Sequence, residues 1–322
     1  MKKYLWINWL LACLAGMMIW TLSGCGTARQ EAAESLRSVT DDAGTVMNIP
    51  VHPQRVILLN PSNVDLYCAA GGAAAVSGIS TTSALSQETA ALMKDVPSVG
   101  IIHQPDTEKI LSLHPDLVIA AEAPENNGFQ ELLRQSGIPV YRDRLSSYDD
   151  IFRVLRFFGQ LTGQEQTAEK AVQTIQTQYD SAVGQSRGQQ PVKALILLQT
   201  PKESEAGTSF CFAGDLLKRL GAQNIADGYG EGQPYILLSM EHIAEEAPDV
   251  ILIIRIGSAE EGNKDGLAEM QSDPAWSGLA AVQNGRVYTL PHDLFSVNPG
   301  TRTGEAVKIL ADDLYGRADS PV

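Results

Sequence analysis

Asp106-Thr107-Glu108-Lys109-Ile110, running on to Pro115-Asp116-Leu117-Val118-Ile119, is the stretch that decides the fold, because the chain repeats it. Ser239-Met240-Glu241-His242-Ile243 runs on to Pro248-Asp249-Val250-Ile251-Leu252, at a constant offset of 133 residues. Each copy reads as a helix opened by a cap residue, Asp106 or Ser239, with a Glu in its first turn. A Pro-Asp pair then breaks the helix and an apolar strand follows. This duplication predicts two similar lobes, each presenting one carboxylate, Glu108 or Glu241, at the start of a helix.

Working outward, the two halves open alike. Arg55–Asn60 has strand composition and ends at Pro61-Ser62-Asn63, a helix start; Val64–Ala70 continues as a helix to Gly71-Gly72. Ala194–Gln199 is the matching strand, and Phe212–Leu220 a helix closed by Gly221. After the duplicated units, each half adds a helix and a short strand containing Val-Tyr, Gly137–Tyr141 and Gly285–Tyr288. Between the halves no proline occurs from Val140 to Gln190. Ile151–Leu161 is amphipathic there, Gly163 interrupts it, and Ala168, Ala171, Val172, Ile175, Tyr179 and Ala182 recur at helical spacing. The chain therefore reads as α/β, with two lobes, each a mainly parallel sheet flanked by helices, joined by a long rigid helix. The expected boundaries are an N-terminal lobe over 39–147, a helical linker over 148–189 and a C-terminal lobe over 190–322. Alternating strands and helices bind ligands at the carboxyl ends of the strands, here a cleft between the lobes.

The N-terminus carries Lys2 and Lys3, an apolar run from Leu10 to Trp20, and Leu22-Ser23-Gly24-Cys25. This resembles a bacterial lipoprotein signal over 1–24, with Cys25 lipidated and 25–38 a polar tether. The run is short for a membrane span of ~20 residues. The net charge of −14 becomes −16 once Lys2 and Lys3 leave with the signal, which disfavours nucleic acid and a polybasic membrane contact. Cys13 leaves with the signal, and Cys68 and Cys211 read as buried thiols in separate lobes. No phosphate loop, zinc-protease helix or nucleophile elbow is present, so the chain is not read as an enzyme.

With its lipoprotein start, two α/β lobes and a helical backbone, the chain resembles the substrate-binding proteins of the iron–siderophore, heme and vitamin B12 class. The resemblance runs from Val39 to Tyr315. It includes Val39-Thr40-Asp41-Asp42-Ala43-Gly44, Gln54-Arg55-Val56-Ile57, Val96-Pro97-Ser98-Val99-Gly100 and Asp273-Pro274-Ala275-Trp276 leading to Asn284-Gly285-Arg286-Val287-Tyr288. It implies a receptor on the outer face of the cytoplasmic membrane, at the cell surface or in the periplasm, held by the Cys25 lipid. The cargo would be a ferric siderophore, heme or a corrinoid, with no permanently bound cofactor. The partners would be an ABC permease dimer and its ATPase. Glu108 and Glu241 occupy the positions at which that family pairs with permease arginines. A same-fold lipoprotein used in sensing or adhesion, and a transition-metal-ion binder, are the alternatives.

Candidate ligand contacts are polar or aromatic residues near strand ends: Ser62, Asn63, His103, Arg142, Arg144, Tyr235, Arg255 and Arg302. Converging arginines would suit propionate, carboxylate or catecholate groups. Some heme-binding relatives take an axial iron ligand from the loop that holds His103, and a second, a His, from the loop after the second-lobe strand. This chain has Arg255-Ile256-Gly257 there, with no His, a departure that argues against a bis-axial heme site; the resemblance makes His103 a metal ligand only if the cargo is heme.

Overall fold

The computed structural model describes residues 35–102, 104–122, 127–200, 203–256, 265–296 and 298–316. The signal over 1–24, Cys25, the first part of the tether and His103 lie outside the described residues. Among the described residues, no helix is long and apolar enough to cross a membrane.

The N-terminal part contains β1 (Leu36–Thr40), β2 (Val46–Pro50), β3 (Val56–Leu58), α1 (Pro61–Ala69), β4 (Val76–Ile79) and α2 (Gln87–Met93). It continues with β5 (Gly100–Ile101), β6 (Gln104–Pro105), α3 (Thr107–Ser112), β7 (Leu117–Ala121), α4 (Asn127–Gln135) and β8 (Val140–Asp143). Its sheet has the order β4-β3-β7-β8, parallel throughout. Val56, Ile57 and Leu58 are wholly buried, as a central strand covered on both faces requires. The sequence reads as tether up to Ser38, whereas β1 already starts at Leu36. The reason is pairing: Leu36–Thr40 lies antiparallel to Val46–Pro50, and Gly44 (φ 80°) makes the reversal between them.

The connector comprises α5 (Tyr148–Thr162) and α6 (Glu165–Ser186). A capping box between Ser147 and Asp150 starts α5, and Gly163 ends it in the left-handed region (φ 67°). Ile151, Val154, Leu155 and Phe158 bury one face of α5. The 22 residues of α6 span about 33 Å. The helices meet where Gly159 faces Ala168; a Cβ on Gly159 would fall 2.7 Å from that of Ala168, so no side chain fits there.

The C-terminal part contains β9 (Lys193–Gln199), β10 (Ser204–Gly207), α7 (Phe212–Arg219), β11 (Gln223–Asn224), β12 (Tyr235–Ile236), α8 (Met240–Glu246) and β13 (Val250–Arg255). It ends with α9 (Gly266–Ser272), α10 (Ala280–Gln283), β14 (Val287–Thr289), α11 (His292–Phe295) and α12 (Thr303–Tyr315). The sheet order is β12-β10-β9-β13-β14, with β11 beside the start of β9. β9, β13 and β14 are parallel, and β10 turns back antiparallel along β9.

Alternate residues of the central strands divide the core. Val56, Leu58, Leu117 and Ile119 from one sheet, and Ala194, Ile196, Val250, Leu252 and Ile254 from the other, join one apolar cluster with Phe158, Val172, Ile175 and Leu310. Their neighbours, Ile57 and Val118 in the first lobe and Leu195, Ile251 and Ile253 in the second, face separate outer clusters. The two lobes thus share their inner core through the connector. α12 also leaves the C-terminal sheet to pack along α6.

Candidate functional site

The duplicated stretch folds as one module made twice. Asp106 Oδ1 accepts the backbone N–H of Lys109 at 3.0 Å, and Ser239 Oγ accepts that of His242 at 3.2 Å. Ile110 and Ile243 bury the inner side of each short helix. Each helix ends in a left-handed residue, His114 or Ala247, both with φ 47° and both at the 133-residue offset. The Pro-Asp pairs then lock the strands: Asp116 accepts the N–H of Gln54 at 2.6 Å and of Arg55 at 3.1 Å, and Asp249 accepts that of Lys193 at 2.9 Å. A basic side chain closes each helix C-terminus. Arg55 Nε donates to the Leu113 carbonyl at 3.0 Å, and Lys193 Nζ donates to the Glu246 carbonyl at 3.1 Å. These capping cations were missed in the sequence, although each stands where its half begins the first apolar strand, Arg55-Val56 and Lys193-Ala194.

The module aims its helix start at the carboxyl ends of the strands. In the first lobe Val99 N–H bonds to Ile79, the last residue of β4, and Asp106 N–H bonds to Val99. In the second lobe Ile236 pairs with Ala206, which pairs with Leu197, so the chain runs onward past the end of β9 to Ser239. Glu108 and Glu241 are both exposed there. Neither makes a hydrogen bond or ion pair among the described residues. Exposed aliphatics lie on each approach: Ile101 is 51% exposed and Leu237 73%.

The remaining candidates occupy several different surroundings. Ser62 and Asn63 are buried at the start of α1. The Ser62 hydroxyl donates to the Asn298 carbonyl, and Asn63 Nδ2 donates to Asp143 Oδ1 at 2.9 Å. Their side chains therefore serve packing beneath the strand ends instead of facing solvent. Arg142 lies within β8, which runs on to Asp143, rather than in a loop after it. Its Nε donates to Asp41 Oδ2 at 2.7 Å, and it lines a pocket of about 400 Å3 with Thr45, Met47 and Gln130 beside the β1–β2 hairpin. Arg144 does follow β8; it pairs with Glu122 at 2.6 Å and its side chain is 55% exposed. Arg255 is the last residue of β13, pairs with Glu269, and is only 11% exposed. Arg302 sits in a 3-10 turn, Gly300–Arg302, pairs with Asp293 at 2.6 Å and donates to the Ala84 carbonyl across the lobes at 3.1 Å.

Every candidate arginine thus has a carboxylate partner, and only Arg144 is both exposed and at a strand end. Exposed pairs are worth about 0–1 kcal/mol, so Arg144 can exchange Glu122 for another anion at small cost. Tyr235 lies in β12 with its hydroxyl paired to the Cys211 thiol. Burial pushes the phenol well above its usual range, so it stays protonated. Burial likewise pushes the Cys211 thiol up to about 11 and the Cys68 thiol up to about 12; both cysteines are free and unreactive in this setting. No group of three or more His, Cys, Asp or Glu that could hold a metal ion occurs among the described residues.

A family model described as "Periplasmic binding protein" matches residues 56–294. Over 98% of both chains, the sequence is 25% identical to an uncharacterized ABC transporter substrate-binding lipoprotein, YvrC, of Bacillus subtilis. It is 24% identical to the Fe(3+)-citrate-binding protein YfmC of the same organism, over 92% of this chain and 91% of that one. The crystal structure of Staphylococcus aureus IsdE complexed with heme superposes with a TM-score of 0.71 at 22% identity, covering 81% of this chain and 98% of that one.

Proposed function

The chain belongs to the periplasmic binding protein family, and from that premise we propose that it is a lipid-anchored extracytoplasmic receptor for an iron complex or corrinoid. It captures the cargo at the facing strand ends of its lobes and hands it to an ABC permease dimer driven by an ATPase. The observation that carries this reading is the repeated module: two exposed carboxylates, Glu108 and Glu241, unpaired among the described residues and held on equivalent helix starts of two lobes. Such a pair suits a partner made of two like halves with an arginine on each, where bidentate pairing rewards geometry as well as charge. The relatives named for ferric citrate and heme direct the ligand class toward anionic iron complexes. Arg144 is the cation we assign to the ligand's carboxylate, propionate or catecholate groups. Arg255, Arg302 and Tyr235 stand as wall residues, Ser62 and Asn63 as their support, and His103 as an axial ligand if the cargo is heme. Cys25 is the lipid site.

The test is an absorbance titration of the protein lacking residues 1–25 with ferric citrate, a ferric catecholate, hemin and cobalamin. Saturable binding of at least one is expected, with Arg144→Ala weakening an anionic complex about tenfold, or 1.4 kcal/mol. A Soret band lost in His103→Ala would select heme. Absence of binding to all four would contradict the proposed cargo.

A further inference from the structure

Asp143 ends β8, and Asn63 stands in the first turn of α1, so both lie at the carboxyl end of the N-terminal sheet. They are 1% and 0% exposed. Asn63 Nδ2 donates to Asp143 Oδ1 at 2.9 Å. The other oxygen of each side chain, Asp143 Oδ2 and Asn63 Oδ1, is shielded from water and has no partner among the described residues. An ionised carboxylate buried with one hydrogen bond is costly, and an unpaired amide oxygen beside it adds to the cost. A single proton on Asp143 Oδ2 removes both defects, since it turns an orphan acceptor into a donor for the orphan amide oxygen of the residue already bonded to it.

We propose that Asp143 is held as a neutral carboxylic acid that closes a reciprocal, two-hydrogen-bond ring with the Asn63 amide and so fixes β8 to α1 beneath the ligand cleft. The ring is a property of the fold and stands whether or not the cargo assignment does.

The charged groups around it leave Asp143 without a cation of its own. On β8, Arg142 is committed to Asp41 at 2.7 Å. Past the ends of β8 and β7, Arg144 is paired with Glu122 at 2.6 Å and its side chain faces solvent. From α5, Arg153 is shared between Asp42 of the hairpin turn at 2.9 Å and Asp150 at 3.0 Å. On α1, Asp65 is bonded to Ser86 at 2.8 Å. Burial, reinforced by the Asp42 carboxylate and opposed by the Asn63 hydrogen bond and Arg153, pushes Asp143 up to about 7. The folded protein therefore binds a proton that the unfolded chain gives up near 3.8. The stability from the ring is fully present below that lower value and is lost as pH rises through about 7.

Urea unfolding of wild type and Asp143→Asn from pH 5 to 8.5 tests the ring, because the asparagine side chain rebuilds it without a titrating proton. The ratio of the two unfolding constants, wild type over variant, is expected to rise about tenfold per pH unit between 5 and 6.5 and to level off above 7.5. Parallel pH profiles would overturn the proposal. Isotope-edited infrared spectra of the wild type provide the second readout, independent of how the variant folds. A protonated carboxyl band of Asp143 at pH 5 that is lost by pH 8.5 supports the ring. A carboxylate band already present at pH 5, as for an ion bridged by a buried water, overturns it.

Discussion

The first-lobe and second-lobe copies of the helix–strand module share a backbone and differ in their fixings. Asp106 caps one helix and Ser239 the other. Arg55 closes one C-terminus and Lys193 the other. A His takes the left-handed corner in the first lobe and an Ala in the second. The chemistry of caps and corners therefore varies wherever a second side chain can satisfy the same backbone groups. The Glu of the first turn is identical in both, yet satisfies nothing among the described residues. This contrast separates what the fold needs from what a partner would need.

Removing the fixings one at a time should separate the two copies. The largest difference is expected at the Pro-Asp pairs. Asp116 holds two backbone N–H groups and is half-buried, whereas Asp249 holds one and is exposed. Asp116→Ala should cost about 2–3 kcal/mol and Asp249→Ala about 1 kcal/mol, because hydrogen bonds to charged groups are the stronger kind and screening weakens the exposed one. Urea unfolding of the two variants checks the order; an equal cost would mean that the modules are not anchored differently. Smaller effects are expected at the caps. Asp106→Ala and Ser239→Ala should each cost about 1 kcal/mol, with Asp106 losing a few tenths more at low salt because its charge also meets the helix dipole. Thermal unfolding at low and high salt separates the two terms.

Much of this was legible in the sequence because the informative signals were local. The cap, the Glu, the Pro-Asp break and the strand lie within 14 residues of one another in each copy, and the observed helices and strands fall on them. Gly163 likewise divided the connector where α5 stops. The candidate arginines were far less legible. Arg142 meets its partner Asp41 across 101 residues, and Arg302 reaches Ala84 across 218. No periodicity or spacing encodes such pairs, so a residue near a strand end looked like a free cation when the fold had already neutralised it. Burial of Ser62 and Asn63 was hidden for a similar reason, since the Asn298 carbonyl and Asp143 close over them from distant parts of the chain. The short β10 and β12 strands were also unread, because a few residues carry too little alternation to distinguish a strand from a loop.

If Glu108 and Glu241 act outside the chain, the direct measurement is cargo uptake by cells carrying Glu108→Arg and Glu241→Arg together, beside the affinity of the purified double variant for the same cargo. Uptake is predicted to fall to background while the dissociation constant stays within about twofold, since both residues are exposed and unpaired among the described residues. Uptake retained at the wild-type rate would contradict a docking role for the pair.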